Sequence, residues 1–325
     1  VVKALVTGAT GFVGAQVVRA LLAAGHEVTA LHRTTSRLDL LDGLEVRRAI
    51  GDLLDRASLE KAAAGQRWIF HVAAASDYWR KSPETVYRVN VQGTRTLLRA
   101  AESANAARVI VTSSCGAIGP VEGRPATESD PFLLKPRDFP YGHSKALAEV
   151  EVRKAVERGL DCVIVNPAVV TGPGDLYRGF GDLAIRIARG QVPVYPPGGV
   201  SIIDVRDVAA AHVAAAERGR TGERYILSHL NMPYRDIMAA LARAAGKNPP
   251  RIGIPGWLMR IAARLVDVGR ALRLPIPATG NQLRLSARDL YYDGGKAARA
   301  LHAPEIGAET LADTVKWYVE RGMIG

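Results

Sequence analysis

Three glycines near the start of the chain, Gly8, Gly11 and Gly14, stand between an apolar run and a segment of helical periodicity. The run Ala4-Leu5-Val6 reads as a strand covered on both faces, and Val17, Val18, Leu21 and Leu22 recur at the spacing of one helix face. A strand that feeds a helix through a glycine turn aims backbone N–H groups and a helix N-terminus at one spot, which suits a phosphate. The triplet alone is equally an ordinary turn in a chain with 32 glycines, so the remaining sequence must supply the rest of a ligand site.

The alternation continues. Strands are predicted at 27–31, 44–50, 68–72 and 108–112, and helices at 56–64, 83–105 and 141–158. Such a pattern builds a parallel sheet with helices on both faces, so the expected fold class is α/β, a doubly wound parallel sheet of the Rossmann type. Residues 1–166 would form the dinucleotide-binding domain. Residues 167–325, with shorter and less regular elements, would form mainly a smaller C-terminal α/β substrate-binding region, some of it returning to the main sheet.

The 48% hydrophobic and 23% charged content is that of a soluble globular protein, and no apolar run reaches the roughly 18 residues of a membrane span. The chain opens on a core strand without a basic and then apolar leader, which reads as cytoplasmic. Cys115 and Cys162 are too few for a disulfide framework or zinc motif, and the histidines lack metal-ligand spacing, so no metal is expected. The net charge of +11 suits an anionic partner, but its basic residues are not clustered with aromatics as in nucleic-acid modules.

The strand at 27–31 ends in His32-Arg33, where a dinucleotide fold places the adenosine ribose; no Asp or Glu stands there to accept from a free 2′-hydroxyl. Arg33 and Arg37 suit a 2′-phosphate and favour NADP over NAD, or else belong to a plain basic loop. Asp52 either meets the adenine amino group or belongs to helix capping in that region. Ala73 and Ala74 leave room for a cofactor backbone, and the loop holding Asp77 and Tyr78 either lines a substrate pocket or covers the sheet. Gly93 in mid-helix costs about 1 kcal/mol against alanine and implies close packing against the sheet.

Tyr141 and Lys145 are spaced i, i+4 at the start of a helix, on one face. A nearby ammonium lowers a phenol's pKa, which would let Tyr141 exchange a proton with a substrate oxygen while Lys145 also meets the nicotinamide ribose. Ser114, at the end of the neighbouring strand, would polarise the same oxygen.

With TGATGFVG at 7–14, NVQGT at 90–94, TSSCGAIG at 112–119, YGHSK at 141–145 and Asn166-Pro167, the chain resembles the extended short-chain dehydrogenase/reductase family. Within it, the likeness is to the dihydroflavonol-4-reductase branch and its bacterial epimerase/dehydratase and hopanoid-associated sugar epimerase relatives. The resemblance implies that the turn residues Gly8, Thr10, Gly11, Phe12 and Val13 bracket the pyrophosphate and that Asp52 and Leu53 meet the adenine. It also implies that Asn166 and Pro167 lie beside the nicotinamide and that Ser114, Tyr141 and Lys145 form the catalytic group. Cys115-Gly116-Ala117-Ile118 replaces the tyrosine-containing stretch of many sugar-nucleotide enzymes, and no Thr-Asp-Glu dehydratase triplet occurs, so dehydration is not expected. Family members often dimerise through the helices placed here at 83–105 and 141–158, which implies a homodimer.

Cys115, Tyr177 and Arg178 are candidate substrate-lining residues, and Asp204 and Asp207 read as helix caps. The helix at 256–273 sets Trp257, Leu258, Ile261, Leu265, Val268 and Leu272 on one face against Arg260, Arg264 and Arg270. That stripe is expected to pack on the substrate domain, the alternative being an anionic membrane surface. The activity expected is NADP(H)-dependent reduction of a ketone or aldehyde, acting on a small-molecule carbonyl or alcohol. The alternatives are a sugar epimerase with tightly held NAD and a non-catalytic NADP-sensing protein. A serine hydrolase built on Gly142-His143-Ser144-Lys145-Ala146 lacks the last glycine of its motif and a preceding strand.

Overall fold

The computed structural model describes residues 1–76, 81–274, 276, 279–302 and 305–324. Asp77 and Tyr78 lie outside the described residues. The first half runs β1 (Lys3–Thr7), α1 (Phe12–Ala23), β2 (Glu27–His32), β3 (Arg47–Ile50), α2 (Arg56–Ala63) and β4 (Trp68–His71). It continues with α3 (Pro83–Tyr87), a π turn (Arg88–Gln92), α4 (Gly93–Ser103), β5 (Arg108–Thr112), α5 (Pro140–Glu157) and β6 (Cys162–Pro167). The second half runs β7 (Val169–Thr171), α6 (Gly181–Ala188), β8 (Val194–Tyr195), β9 (Gly199–Asp204), α7 (Val205–Arg218), β10 (Arg224–Leu227) and β11 (Leu230–Pro233). Then follow α8 (Tyr234–Ala244), β12 (Ile252–Gly253), α9 (Gly256–Ala271), α10 (Gly280–Ser286), β13 (Asp289–Leu290), α11 (Gly295–Leu301) and α12 (Glu309–Glu320).

The main sheet has the order β10-β6-β5-β4-β1-β2-β3, every pair parallel. Ala4, Leu5 and Val6 are fully buried because helices cover both faces. One face packs on α1, α7 and α11 through residues such as Val18, Leu21, Val208 and Leu301, and the other on α2, α4 and α5 through Leu59, Leu97 and Val152. Strand order reverses between β1 and β4, the switch point where such sheets open a crevice at their carboxyl ends. The register brings Thr7 beside His71 and His71 beside Val111 at that edge. A smaller sheet pairs β9 with β11 antiparallel and with β7 and β13 in parallel, packed on α6, α8 and α12.

Three sequence expectations need correction. The strand expected at 44–50 begins only at Arg47, because Leu44 and Val46 turn inward onto the α1-side core. The single helix expected at 83–105 is interrupted by the π turn. Gly93 follows that turn, and its reason is a neighbour other than the sheet: a Cβ there would lie 3.0 Å from the Leu53 side chain.

Candidate active site

The glycine turn is built by its own packing. Gly8 has φ +67, and a Cβ on it would lie 2.7 Å from the Ala73 backbone at the end of β4. A Cβ on Gly14 would lie 2.0 Å from the Gly8 carbonyl. Gly11 is the N-cap of α1 and has no side-chain oxygen to offer the first-turn N–H groups, those of Phe12 and Val13 among them. The turn therefore presents donors and the positive end of a helix at the sheet's carboxyl edge. The Tyr177 hydroxyl donates to the Thr10 carbonyl at 3.1 Å, which places Tyr177 over this turn. Its neighbour Arg178 is exposed, with a left-handed φ of 55.

Around the outer strands, Arg33 follows β2 directly, and its guanidinium forms no ion pair among the described residues. Arg37 is held by Asp39, its Nε donating at 2.8 Å. Asp52 accepts from the Leu54 N–H at 2.9 Å, while the cap of α2 is Asp55. Leu53 is buried against Gly93, Ala73 donates its N–H to Thr7 Oγ1 at 3.2 Å, and Ala74 is half-buried beside it.

A buried histidine ties this edge together. The hydrogen-bond directions run from Ala73 N–H to Thr7 Oγ1, from Thr7 to His71 Nδ1 at 3.0 Å, from His71 Nε2 to Thr94 Oγ1 at 2.9 Å, and from Thr94 to the Asn90 carbonyl at 2.6 Å. That sequence of donors assigns the proton to Nε2. Burial, with the Lys145 charge adding, pulls the His71 pKa down to about 3, so the ring is neutral and structural.

Ser114, Tyr141 and Lys145 converge beyond β5. Tyr141 and Ser114 share a hydrogen bond, and Ser114 Oγ also accepts from the Gly116 N–H at 3.0 Å. Gly142 permits this approach of α5, since a Cβ there would lie 2.2 Å from the Gly116 carbonyl. Lys145 is buried and donates to the Thr112 carbonyl at 2.7 Å; burial pulls its pKa down to about 8 against the opposing Glu149 carboxylate. The phenol does not follow the expectation of a lowered pKa: burial pushes Tyr141 up, with the Ser114 hydrogen bond opposing and Cys115 adding to the rise. The Lys145 ammonium is held on Thr112, and the low-dielectric surroundings of both groups favour the neutral phenol.

Behind these groups lies a network that motif spacing had not singled out. Glu149, one turn beyond Lys145, is 1% exposed; it accepts from Ser113 Oγ at 2.5 Å, from Asn166 Nδ2 at 2.7 Å and from Arg224 at 3.0 Å. Asn166 Nδ2 also donates to the Ser114 carbonyl at 3.0 Å, and Pro167 follows as the last residue of β6. Asn90 in the π turn accepts from the Ala75 N–H at 2.8 Å and donates to Ser144 Oγ at 2.9 Å. The i, i+4, i+8 series Tyr141, Lys145, Glu149 was the available signal for Glu149. Ser144 is fully buried and spends its hydroxyl on the Tyr141 carbonyl, which leaves no hydrolase nucleophile. Cys115, expected to line the substrate site, is buried among Ile118, Ile226 and Tyr292; its thiol, pushed up by burial, donates to the Asn166 carbonyl at 3.0 Å.

A dinucleotide fits this donor set on three structural observations: the uncapped turn at Gly11, the unpaired Arg33 guanidinium, and Asn166 Oδ1, buried without a partner among the described residues. The sequence pattern of the NAD dependent epimerase/dehydratase family matches residues 4–228. A Synechocystis protein provisionally named a dihydroflavonol 4-reductase is 39% identical, the match covering 98% of this chain and 95% of that protein. Sterol demethylase protein B of Methylococcus capsulatus is 36% identical over 98% of this chain and 99% of its own length. Among solved structures, a nucleoside-diphosphate-sugar epimerase from Pseudomonas aeruginosa superposes with a TM-score of 0.83 at 27% identity, covering 100% of this chain and 99% of that one.

Proposed function

For a chain that belongs to the NAD dependent epimerase/dehydratase family, we propose an NADP(H)-dependent reductase that converts a ketone or aldehyde to an alcohol. The carrying observation is the hydrogen-bonded Ser114–Tyr141 pair, whose phenol burial keeps protonated. A protonated acid is the form reduction requires. Tyr141 donates its proton to the carbonyl oxygen as that oxygen gains charge, and Ser114 Oγ steadies the same oxygen. Lys145, still cationic below pH about 8 and one helical turn along α5 from Tyr141, would stabilise the phenolate left behind. Glu149 and Asn166 hold the ends of β5 and β6 in place from behind.

The turn at Gly8, Thr10, Gly11, Phe12 and Val13 would hold the pyrophosphate, Arg33 the 2′-phosphate and Asn166 the nicotinamide end. When bound, the reduced nicotinamide supplies hydride. The reductase name of the Synechocystis relative supports this reading. Replacing Tyr141 by Phe is expected to lower kcat about 10³-fold while leaving NADPH affinity within about twofold, measured by steady-state kinetics and fluorescence titration. Retained turnover would overturn the assignment. Mass spectrometry of the purified protein tests the cofactor: tightly held NAD would replace this reading with that of an epimerase, to which the Pseudomonas structure is the comparison.

A further inference from the structure

Helix α9 is turned inside out relative to the expectation that its apolar stripe packs on the substrate region. Trp257, Leu258, Ile261, Leu265, Val268 and Leu272 are 41–69% exposed. At helical spacing they occupy a single arc of about 100°. Met259 and Ala263 on the opposite face, and Gly269 at the stripe's flank, are buried against the protein. The contact with α10 is close, since a Cβ on Gly280 would lie 2.6 Å from the Ala263 carbonyl, and Gly269 packs on the Ile276 side chain ahead of α10, where a Cβ would lie 2.5 Å from it. So tight a seat fixes which face looks outward.

The charges beside the stripe select its partner. Arg260 and Arg264 run along one edge of it, and Arg273 stands beyond its C-terminal end, all three exposed. The lone acid of the helix, Asp267, is paired with Arg284 of α10. Two copies facing each other through this stripe would set these arginines against their own kind, with no free carboxylate on the helix to receive them. An anionic lipid surface meets both needs: apolar side chains and an indole enter the acyl boundary while guanidiniums remain at the phosphates. No helix among the described residues is long and apolar enough to cross a membrane, so the contact is a surface one. We propose that α9 docks the protein on anionic bilayers with its axis in the plane of the interface.

Flotation with vesicles of phosphatidylglycerol and phosphatidylcholine tests this on the full chain. At low salt the protein is expected to float with the mixed vesicles, to stay down with phosphatidylcholine alone, and to be released by high salt. The double variant Leu265→Glu/Val268→Glu should bind at least about tenfold more weakly with an unchanged melting curve, since both positions are exposed. Arg260→Glu/Arg264→Glu should weaken binding and flatten its salt dependence. Wild-type protein that stays down with mixed vesicles, or a double variant that floats as well as wild type, overturns the proposal. So does a wild-type dimer, seen by sedimentation equilibrium, that the double variant splits into monomers.

Discussion

Helices α1 and α9 both set large apolar residues at helical spacing, with one arginine in α1 and three in α9, and they use the apolar stripe in opposite ways. In α1 the stripe of Val17, Val18 and Leu21 is fully buried against the sheet. In α9 the stripe faces outward and the helix is seated by its smallest residues. The difference lies in what stands opposite. The α1 stripe has a buried parallel sheet across from it, and the Gly8 and Gly14 contacts fix the helix's approach. On α9 only Met259, Ala263 and Gly269 are buried, and the large stripe residues are left 41–69% exposed. Amphipathic spacing states that a helix has two faces; the available surface decides which one is inside.

The widest separation between the two regions should appear in stability. Leu21→Ala in α1 is expected to lose about 2–5 kcal/mol through lost burial and a cavity. Leu265→Ala in α9 should stay within about 0.5 kcal/mol, as a surface change does. Urea denaturation of both variants measures the contrast, and equal losses would mean that the outward stripe is covered in solution.

A second measurement probes the main sheet, where two buried histidines are hydrogen-bonded through both ring nitrogens. His71 and His212 are buried and neutral, with pKa values pulled by burial down to about 3 and about 4. His212 donates to the Val208 carbonyl and accepts from Thr112, both at 2.7 Å. Because the folded pKa lies below the unfolded one, the unfolded chain binds more protons between pH 6.5 and these values, and stability falls as pH drops through that window. The expected slope is about 1.4 kcal/mol per pH unit for each histidine. Melting curves between pH 7 and 5 check it, and His71→Gln should flatten the trend.

The smallest contrast lies between two arginines. Arg33 has no ion pair among the described residues, whereas Arg37 is held by Asp39. Arg33→Ala should raise KM for NADPH by about tenfold, the scale of a lost charge-assisted contact, and leave KM for NADH unchanged. Arg37→Ala should change either value by about twofold or less, because its side chain is already engaged.

Much of the fold was legible because its signals are local. The apolar runs that become β1, β2, β4 and β5 are short, bounded by turn residues and separated by helical patterns, and that alternation admits few arrangements other than a parallel sheet. The i, i+4 spacing likewise sets Tyr141 and Lys145 on one helix face by itself. What escaped depended on neighbours distant in sequence. Leu53 explains Gly93 across 40 positions of chain, and the Tyr177 hydroxyl reaches a carbonyl 167 residues away. Glu149 receives Ser113, Asn166 and Arg224 from three different strands or strand ends.

The sequence by itself determined the strand–turn–helix cradle at Gly8–Gly14, the alternation that builds the sheet, and the proximity of Tyr141 to Lys145, because backbone sterics and helical periodicity act over a few residues. Only the tertiary structure decided that burial raises the Tyr141 phenol, that Cys115 is sealed in the core, that Tyr177 lies over the glycine turn, and that the apolar face of α9 looks outward. Each of those depends on which surfaces meet, and that is a property of the packed chain as a whole.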